Sequence, residues 1–219
     1  FHQAFIISVR QFIILNFREK SMKKTVKILL GIVGLLVLIV LGGIAYISLA
    51  LPNVKAAPNI TISSTPEVIE RGSYLANHVS VCTDCHSARD WSKYSGPIVP
   101  GTVGKGGERF SHEFGFPGTF YSKNITPYNI GDWTDGELYR AITTGVTRDG
   151  EPLFPLMPYI AYAQMAPDDI KAIIAYLRTL APIRSEVPVS KPDFPMNLIM
   201  RTIPTDLENP GTRPPVSDT

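Results

Sequence analysis

Residues 28–51, ILLGIVGLLVLIVLGGIAYISLAL, run for 24 positions without a charged side chain. As a helix this segment reaches roughly 36 Å at about 1.5 Å per residue, enough to cross a hydrocarbon core of about 30 Å with some tilt. Lys23, Lys24 and Lys27 precede it and Arg18 and Lys20 reinforce them, whereas residues 52–64 beyond it carry only Lys55. Basic residues favour the cytoplasmic side, so everything after Pro52 is expected on the far side of the membrane. A cleaved signal peptide competes with this reading, since Ser48-Leu49-Ala50 and Ala56-Ala57 offer small residues to a peptidase. The apolar stretch of such a peptide normally spans about 7 to 15 residues, so a retained anchor is the expectation.

The rest of the chain sorts around that segment. Met22-Lys23-Lys24 looks like a natural start, which makes residues 1–21 an expected over-extension of the reading frame. Residues 22–51 are the basic flank and anchor, 52–64 a linker, 65–182 one folded domain and 183–219 a Pro-rich tail. Residues 182–219 hold eight Pro and are expected to drape over the domain or to stay partly disordered. The overall charge of +2 conceals a split. Residues 1–51 hold six Lys and Arg against one acid, while residues 52–219 hold 15 Lys and Arg against 18 Asp and Glu, a net charge of −3. A nucleic-acid partner is therefore excluded.

The chemistry is concentrated in Cys82-Thr83-Asp84-Cys85-His86, which contains both cysteines of the chain. Two thiols separated by two residues sit on one tight turn, and the adjacent imidazole points the same way. This is the arrangement that adds two sulfurs across the vinyl groups of one porphyrin and brings a nitrogen to its iron. A thioredoxin-like disulfide would need a preceding strand, and none is patterned here. A zinc site would need two further ligands, and no other Cys exists while His2, His78 and His112 are scattered. One covalent haem c is the expectation, with His86 as an iron ligand.

An electron carrier closes the second face of the iron with Met or His. Met157, framed by Pro155 and Pro158 and 71 residues after His86, is the favoured candidate. The paired prolines hold an irregular loop rather than a helix interior. Met165 is the nearest rival, with Met196, Met200, His78 and His112 as outsiders. Thioether ligation raises the potential and closes the iron to small molecules, which argues against enzymatic haem chemistry.

Three helices are legible around this motif. The first starts at Thr65-Pro66 and carries Val68, Ile69, Gly72, Leu75 and Ala76. The second starts with a capping box from Thr134 to Glu137 and stops at Gly145. The third runs from about Pro167 to Leu180 with an apolar stripe, Asp168 and Asp169 in its first turn and Arg178 in its last. No useful run of period-2 alternation appears, so the expected class is all-α with long loops. Such a loop-rich domain is expected to fold poorly without its haem. The glycine-rich stretch GTVGKGGER at 101–109 lacks the pattern of a phosphate loop and reads as a flexible surface loop.

The block CTDCH, together with FGFPGTFYSKNITP, GDWTDGELYRAITTGV, EPLFPLMPY, DDIKAIIAYLRTLAP and the tail piece PDFPMNLIMR, resembles a group of class I c-type cytochromes. They are the cytochrome subunits of membrane-bound alcohol, gluconate and sorbitol dehydrogenases and their monohaem relatives. The resemblance implies a cytochrome c fold with thioether bonds from Cys82 and Cys85, His86 as proximal ligand and Met157 as distal ligand. It also implies that Gly72 lets the first helix cross the last one near Tyr176, and that Asn124, Thr126 and Trp133 lie near the haem edge. There, hydroxyl, amide or indole donors could satisfy propionates, although turn formation and core packing account for those residues equally well. The chain departs from the dehydrogenase subunits in having a single Cys-x-x-Cys-His, where they usually carry three haem domains. Its anchor is N-terminal, where theirs is often C-terminal, and Ala166-Pro167 replaces the usual Ser or Thr cap before the last helix.

The expected activity is electron transfer by a single-pass protein of a bacterial inner membrane with its haem domain in the periplasm, as part of a respiratory chain. Its lipid contact is through residues 28–51, its donor a dehydrogenase or quinol-oxidising complex, and its acceptor an oxidase or another cytochrome. A peroxidase or small-molecule oxidase with a labile sixth ligand is the alternative. A subunit whose haem is only a structural cross-link is a third reading.

Overall fold

A computed structural model of the chain describes residues 23–206 and 210–212 in full, and residues 2–22 by their backbone alone. It divides into two units, residues 1–49 and residues 50–219. The expectations for residues 207–209 and 213–219 of the tail lie outside the described residues. The first unit is the helix α1 (His2–Ala50), and its stretch Lys23–Ala50 has a mean hydropathy of 3.0. It is long and apolar enough to cross a membrane. The helix ends one residue before Leu51-Pro52, where the proline ring disfavours helical backbone in the residue ahead of it.

The second unit begins with an extended segment, and its first helix starts where local chemistry dictates. Thr65 caps α2 (Pro66–Tyr74) by accepting the Val68 amide at 3.4 Å, and Pro66 occupies the first helical position. The helix then widens into a π-helical turn, Leu75–Val79, closed by the Ser80 N–H donating to the Leu75 carbonyl at 2.8 Å. Val81 follows with φ of 47°. A β-branched residue is rare in the left-handed region, and here it turns the chain sharply into the four-residue turn α3 (Cys82–Cys85).

A long irregular stretch follows, holding a small antiparallel sheet in the order β1-β2-β3: β1 (Arg109–Phe110), β2 (Gly118–Tyr121) and β3 (Lys191–Pro192). Phe110 pairs with Phe120, and Gly118 with Pro192. These strands did not show in the sequence because two- and four-residue elements are too short to display alternation. The turn α4 (Pro127–Ile130) leads into α5 (Asp135–Thr144). Both halves of the expected capping box are formed, Glu137 N–H to Thr134 Oγ1 at 3.2 Å and Thr134 N–H to Glu137 Oε2 at 2.7 Å. Gly145, at φ 74°, ends the helix. The turn α6 (Tyr159–Tyr162) precedes α7 (Pro167–Thr179), and α8 (Met196–Thr202) lies in the tail.

The core is centred on α7, whose Ile170, Ile173 and Ile174 are at most 1% exposed. Leu75, Leu138 and Ile142 complete it from the other helices. Helices α2 and α7 meet at Gly72, where a Cβ would run into the Ala172 carbonyl and stand 2.9 Å from the Tyr176 Cβ. The ion pair of Arg71 with the buried Asp169, 3.1 Å at Nε and 3.2 Å at Nη2, locks the same crossing.

The described part of the tail packs back on the domain. Besides β3, it returns to the start of the unit. Arg201 Nη1 donates to the Leu51 carbonyl at 2.9 Å, and the Lys55 N–H donates to Asp206 Oδ2 at 2.9 Å.

Candidate functional site

The π-helical turn and the left-handed Val81 aim the Cys82–His86 segment away from the axis of α2. Cys82 is half-buried against the helical core, Cys85 is exposed, and the two thiols are not joined to each other. Burial pushes the Cys82 thiol up to about 12 and also raises that of Cys85, so both sulfurs are protonated near neutral pH. They are nucleophiles for assisted chemistry rather than free thiolates.

His86 is fixed by a backbone group. Its Nδ1 lies 2.6 Å from the Lys123 carbonyl oxygen, which can only accept, so Nδ1 carries the proton and Nε2 presents its lone pair. Burial holds the imidazole below its ordinary range and the bond to Lys123 opposes that shift. The ring is therefore neutral, the form in which imidazole ligates a metal.

The carbonyl is placed by residues 101–109, and here the structure corrects the expectation of a flexible loop. Gly104 and Gly106 are buried. The Gly106 N–H donates to the His86 carbonyl at 2.8 Å, and the Gly104 N–H donates to Ser87 Oγ at 3.1 Å. Gly106 adopts φ 70°, and a Cβ there would sit 2.5 Å from the Asn124 nitrogen. The glycines let one piece of backbone pass beneath His86 and against Lys123.

Met157 sits in an irregular loop between Pro155 and Pro158, half-buried and packed against the same core cluster as Cys82, Trp133 and Met165. The segment that follows it is tied to the segment that precedes the cysteines. Tyr162 Oη donates to the Ser80 carbonyl at 2.7 Å, and Ser80 Oγ approaches Met165 Sδ at 3.7 Å. Burial raises the Tyr162 hydroxyl, and the neighbouring Cys82 and Cys85 add to the shift. Met157 and Cys82, more than 70 residues apart in sequence, thus pack against the same core cluster. Met165 is occupied by Ser80. His78 is exposed beside Tyr74, and His112 pairs with Asp193 at 2.6 Å.

Asn124 and Thr126, 2% and 0% exposed, are engaged elsewhere. Asn124 Nδ2 donates to the carbonyls of Ile183 (2.9 Å) and Ser185 (3.5 Å), and Asn124 Oδ1 accepts from the Thr126 N–H (2.9 Å) and hydroxyl (2.7 Å). The Thr126 hydroxyl in turn accepts the Ile183 N–H at 3.2 Å. Both amide hydrogens of Asn124 go to the tail strap and the Thr126 hydroxyl donates to Asn124, so the donors of both side chains are engaged within the protein. Trp133 differs, because its indole N–H has no hydrogen-bond partner among the described residues. Among the described residues no group of three or more His, Cys, Asp and Glu side chains gathers into a metal cluster.

The cysteine turn offers two unbridged thiols and a neutral imidazole with its tautomer fixed. That chemistry suits haem c.

Comparison with known proteins agrees. The chain is 32% identical over 149 residues to the cytochrome c subunit of a quinone alcohol dehydrogenase from Gluconacetobacter polyoxogenes, covering 64% of this chain and 28% of that one. The chain resembles dehydrogenase cytochrome c subunits. The cytochrome c subunit of gluconate 2-dehydrogenase from Pantoea cypripedii is 33% identical to this cytochrome-like chain over 138 residues, 61% of this chain and 28% of its own length. A dihaem c-type cytochrome from Cereibacter sphaeroides is 33% identical over 150 residues, 67% of this chain and 47% of its own. The cytochrome-like chain spans from about a tenth to about half of the length of the relatives it matches. No protein-family profile matches it.

Proposed function

We propose that this chain is a membrane-anchored electron carrier with one covalent haem c, and that it relays single electrons from a dehydrogenase or quinol-oxidising donor to an oxidase or another cytochrome. Cys82 and Cys85 hold the group through thioether bonds, and His86 and Met157 close its two faces. A haem c held there supplies a reversible one-electron couple. The observation that carries the reading is the fixed tautomer of His86, next to two thiols that no disulfide or metal cluster claims.

The protein's own part is positional. Lys123 holds the imidazole so that its lone pair faces away from the Gly104–Gly106 backbone. Pro155 and Pro158 restrict the Met157 loop, which keeps a soft sulfur at one place through a change of charge. Ligation by Met rather than a second His favours the reduced state, and two protein ligands deny small molecules a binding position. This supports a transfer subunit over a catalytic one, in line with the cytochrome subunits it resembles. One Cys-x-x-Cys-His and two cysteines in all support one haem in this sequence. The apolar Lys23–Ala50 and its basic flank support a single pass, with the haem domain on the periplasmic side of a bacterial inner membrane. The cytochrome c fold is the reading for residues 65–182, with the small sheet as an addition at its edge.

Expression of the full chain in a host that matures c-type cytochromes tests this. The purified protein should gain the mass of one haem, resist its extraction by acid solvent, and titrate as one reversible one-electron wave. Met157→Ala should bind carbon monoxide rapidly in the ferrous state while Met165→Ala behaves like the parent. A colourless product with the bare polypeptide mass, or a parent protein that binds carbon monoxide as fast as Met157→Ala, would overturn the assignment.

A further inference from the structure

Phe154-Pro155-Leu156-Met157 folds as a single β-turn. The Met157 N–H donates to the Phe154 carbonyl at 3.1 Å, and Pro155 takes the second position, which its fixed φ suits. Phe154 and Met157 are therefore the two ends of one short rigid unit, and whatever fixes the first residue places the backbone of the last. The chain is held beyond the turn as well. The Met157 carbonyl accepts the Tyr159 N–H at 2.8 Å, and the ring of the buried Tyr159 lies so close to Gly145 that a Cβ there would stand 2.5 Å from it.

Phe154 itself is fixed by the small sheet. Its ring stacks on that of Phe120 in β2, with centroids 3.8 Å apart and planes 16° from parallel, and Phe116 meets it edge to face at 6.0 Å and 79°. Phe120 is buried and pairs across the ladder with Phe110, whose ring reaches Phe116 in a second edge-to-face contact at 5.8 Å. The four rings form one cluster drawn from β1, β2, the loop between them and the turn that ends at Met157. Just ahead of that turn the Leu153 N–H donates to the Gly145 carbonyl at 2.7 Å, which ties the same stretch to the end of α5. On its other edge β2 pairs with β3 in the tail.

We propose that Phe154 is a positioning residue for the Met157 sulfur, and that the three-stranded sheet holds it in place through the Phe120 stack. This rests on the reading of Met157 as the second iron ligand and deepens it. A methionine side chain has three rotatable bonds and adapts to its surroundings, so its sulfur keeps one place only if the backbone beneath it does. Pro155 and Pro158 restrict φ at their own positions but attach the turn to nothing. The stacked ring supplies that attachment, and aromatic pairs are worth more than the area they bury. Without it, the population in which the loop has swung away should rise roughly 2- to 12-fold, the equilibrium factor that such a pair is worth. The sheet thereby gains a task in ligation, although none of its own residues is a candidate ligand.

Carbon monoxide binding to the full-length ferrous haem protein tests this, because the gas reaches the iron only while the sulfur has moved away. Phe154→Leu stays apolar but loses the ring. It should bind carbon monoxide roughly 2 to 12 times faster than the parent and weaken the ferric absorption band that marks sulfur on iron. Phe154→Tyr keeps the ring and should match the parent in both. Phe110→Leu removes a ring whose contact is to Phe116, and should lower the melting temperature without moving either rate or band. Phe116→Leu loosens the edge contact to Phe154 and should give a smaller acceleration, a second reading if Phe154→Leu does not accumulate. The parent rate in Phe154→Leu, or in Phe116→Leu where the first is not obtained, would sink the positioning role. So would Phe154→Tyr as fast as Phe154→Leu, or an equal acceleration in Phe110→Leu, which would report general softening. Met157→Ala separates the two levels. If it binds no faster than the parent, the ligand assignment itself falls; if it is fast while Phe154→Leu is parent-like, only the positioning role is lost.

Discussion

Asn124 and Thr126 show how a polar residue can be singled out in a sequence while its partner stays hidden. The NIT sequence is compatible with a turn or with donors at a haem edge, and nothing local distinguishes the two. What distinguishes them is Ile183 and Ser185, roughly sixty residues away, whose carbonyls take both amide hydrogens of Asn124. Side chain to backbone bonds across such a separation leave no pattern in sequence. Lys123 is the same case in stronger form, since the group that orients His86 is a carbonyl that every residue possesses. The clamp makes a prediction at this scale. Asn124→Ala would strand two carbonyls, the Thr126 N–H and the Thr126 hydroxyl in a dry site. It should cost about 3 kcal/mol and lower the melting temperature of the haem protein by roughly 6 to 12 °C. The midpoint potential should stay where it is in the fraction that remains folded, because Asn124 has no donor to offer a propionate. A shifted potential with unchanged stability would return Asn124 to the haem edge. Thr126→Val should lose less than additively when combined with it, as the two share their hydrogen bonds.

Elements whose signals are local were legible and those built from distant pieces were not. Thr65-Pro66, the Thr134 to Glu137 box, Gly145 and the isoleucine stripe of α7 each declare a start, a stop or a face within a few residues, and α2, α5 and α7 form where they say. The sheet depends on β2 meeting Lys191–Pro192 some seventy residues later, and the π-helical turn has no composition of its own. The Gly101–Arg109 stretch misled because glycine marks both flexible loops and places where backbone must approach backbone. Two substitutions test these elements. Thr134→Ala removes one bond of the reciprocal cap and the reason for the other, and should cost about 1 kcal/mol in chemical denaturation at an unchanged denaturant slope. Gly72→Ala is harsher. Its methyl group would meet the Ala172 carbonyl, which belongs to a helix and cannot rotate away, so α2 must lift from α7. A loss of about 1 to 3 kcal/mol is expected, with faster hydrogen exchange along both helices. A Gly72→Ala protein as stable as the parent would mean that the crossing is looser than described.

For the whole molecule the distribution of burial matters more than any one contact. Between residues 77 and 129, Phe120 is the one buried hydrophobic among the described residues, while the segments on either side supply the whole helical core. Ordering each residue's backbone costs roughly 1 to 2 kcal/mol, and a stretch of this length without apolar burial must be held by other means. Its hydrogen bonds, such as Gly106 to His86 and Ile125 to Gly104, close loops onto the Cys82–His86 turn, so they persist only while that turn is itself fixed. A covalent group spanning Cys82, Cys85 and the Met157 loop would supply that fixation. Helix α1 bonds within its own backbone and is independent of it. The double variant Cys82→Ser, Cys85→Ser should therefore keep α1 protected in detergent while amides of 86–126 exchange as in an unfolded chain, and α2 and α7 lose most of their protection. Measuring exchange by segment is essential, because total helix content would be dominated by α1. Native protection of Gly106 and Ile125 in that variant would show that the long loop stands without the haem, and the fold's dependence on the group would then have to be abandoned.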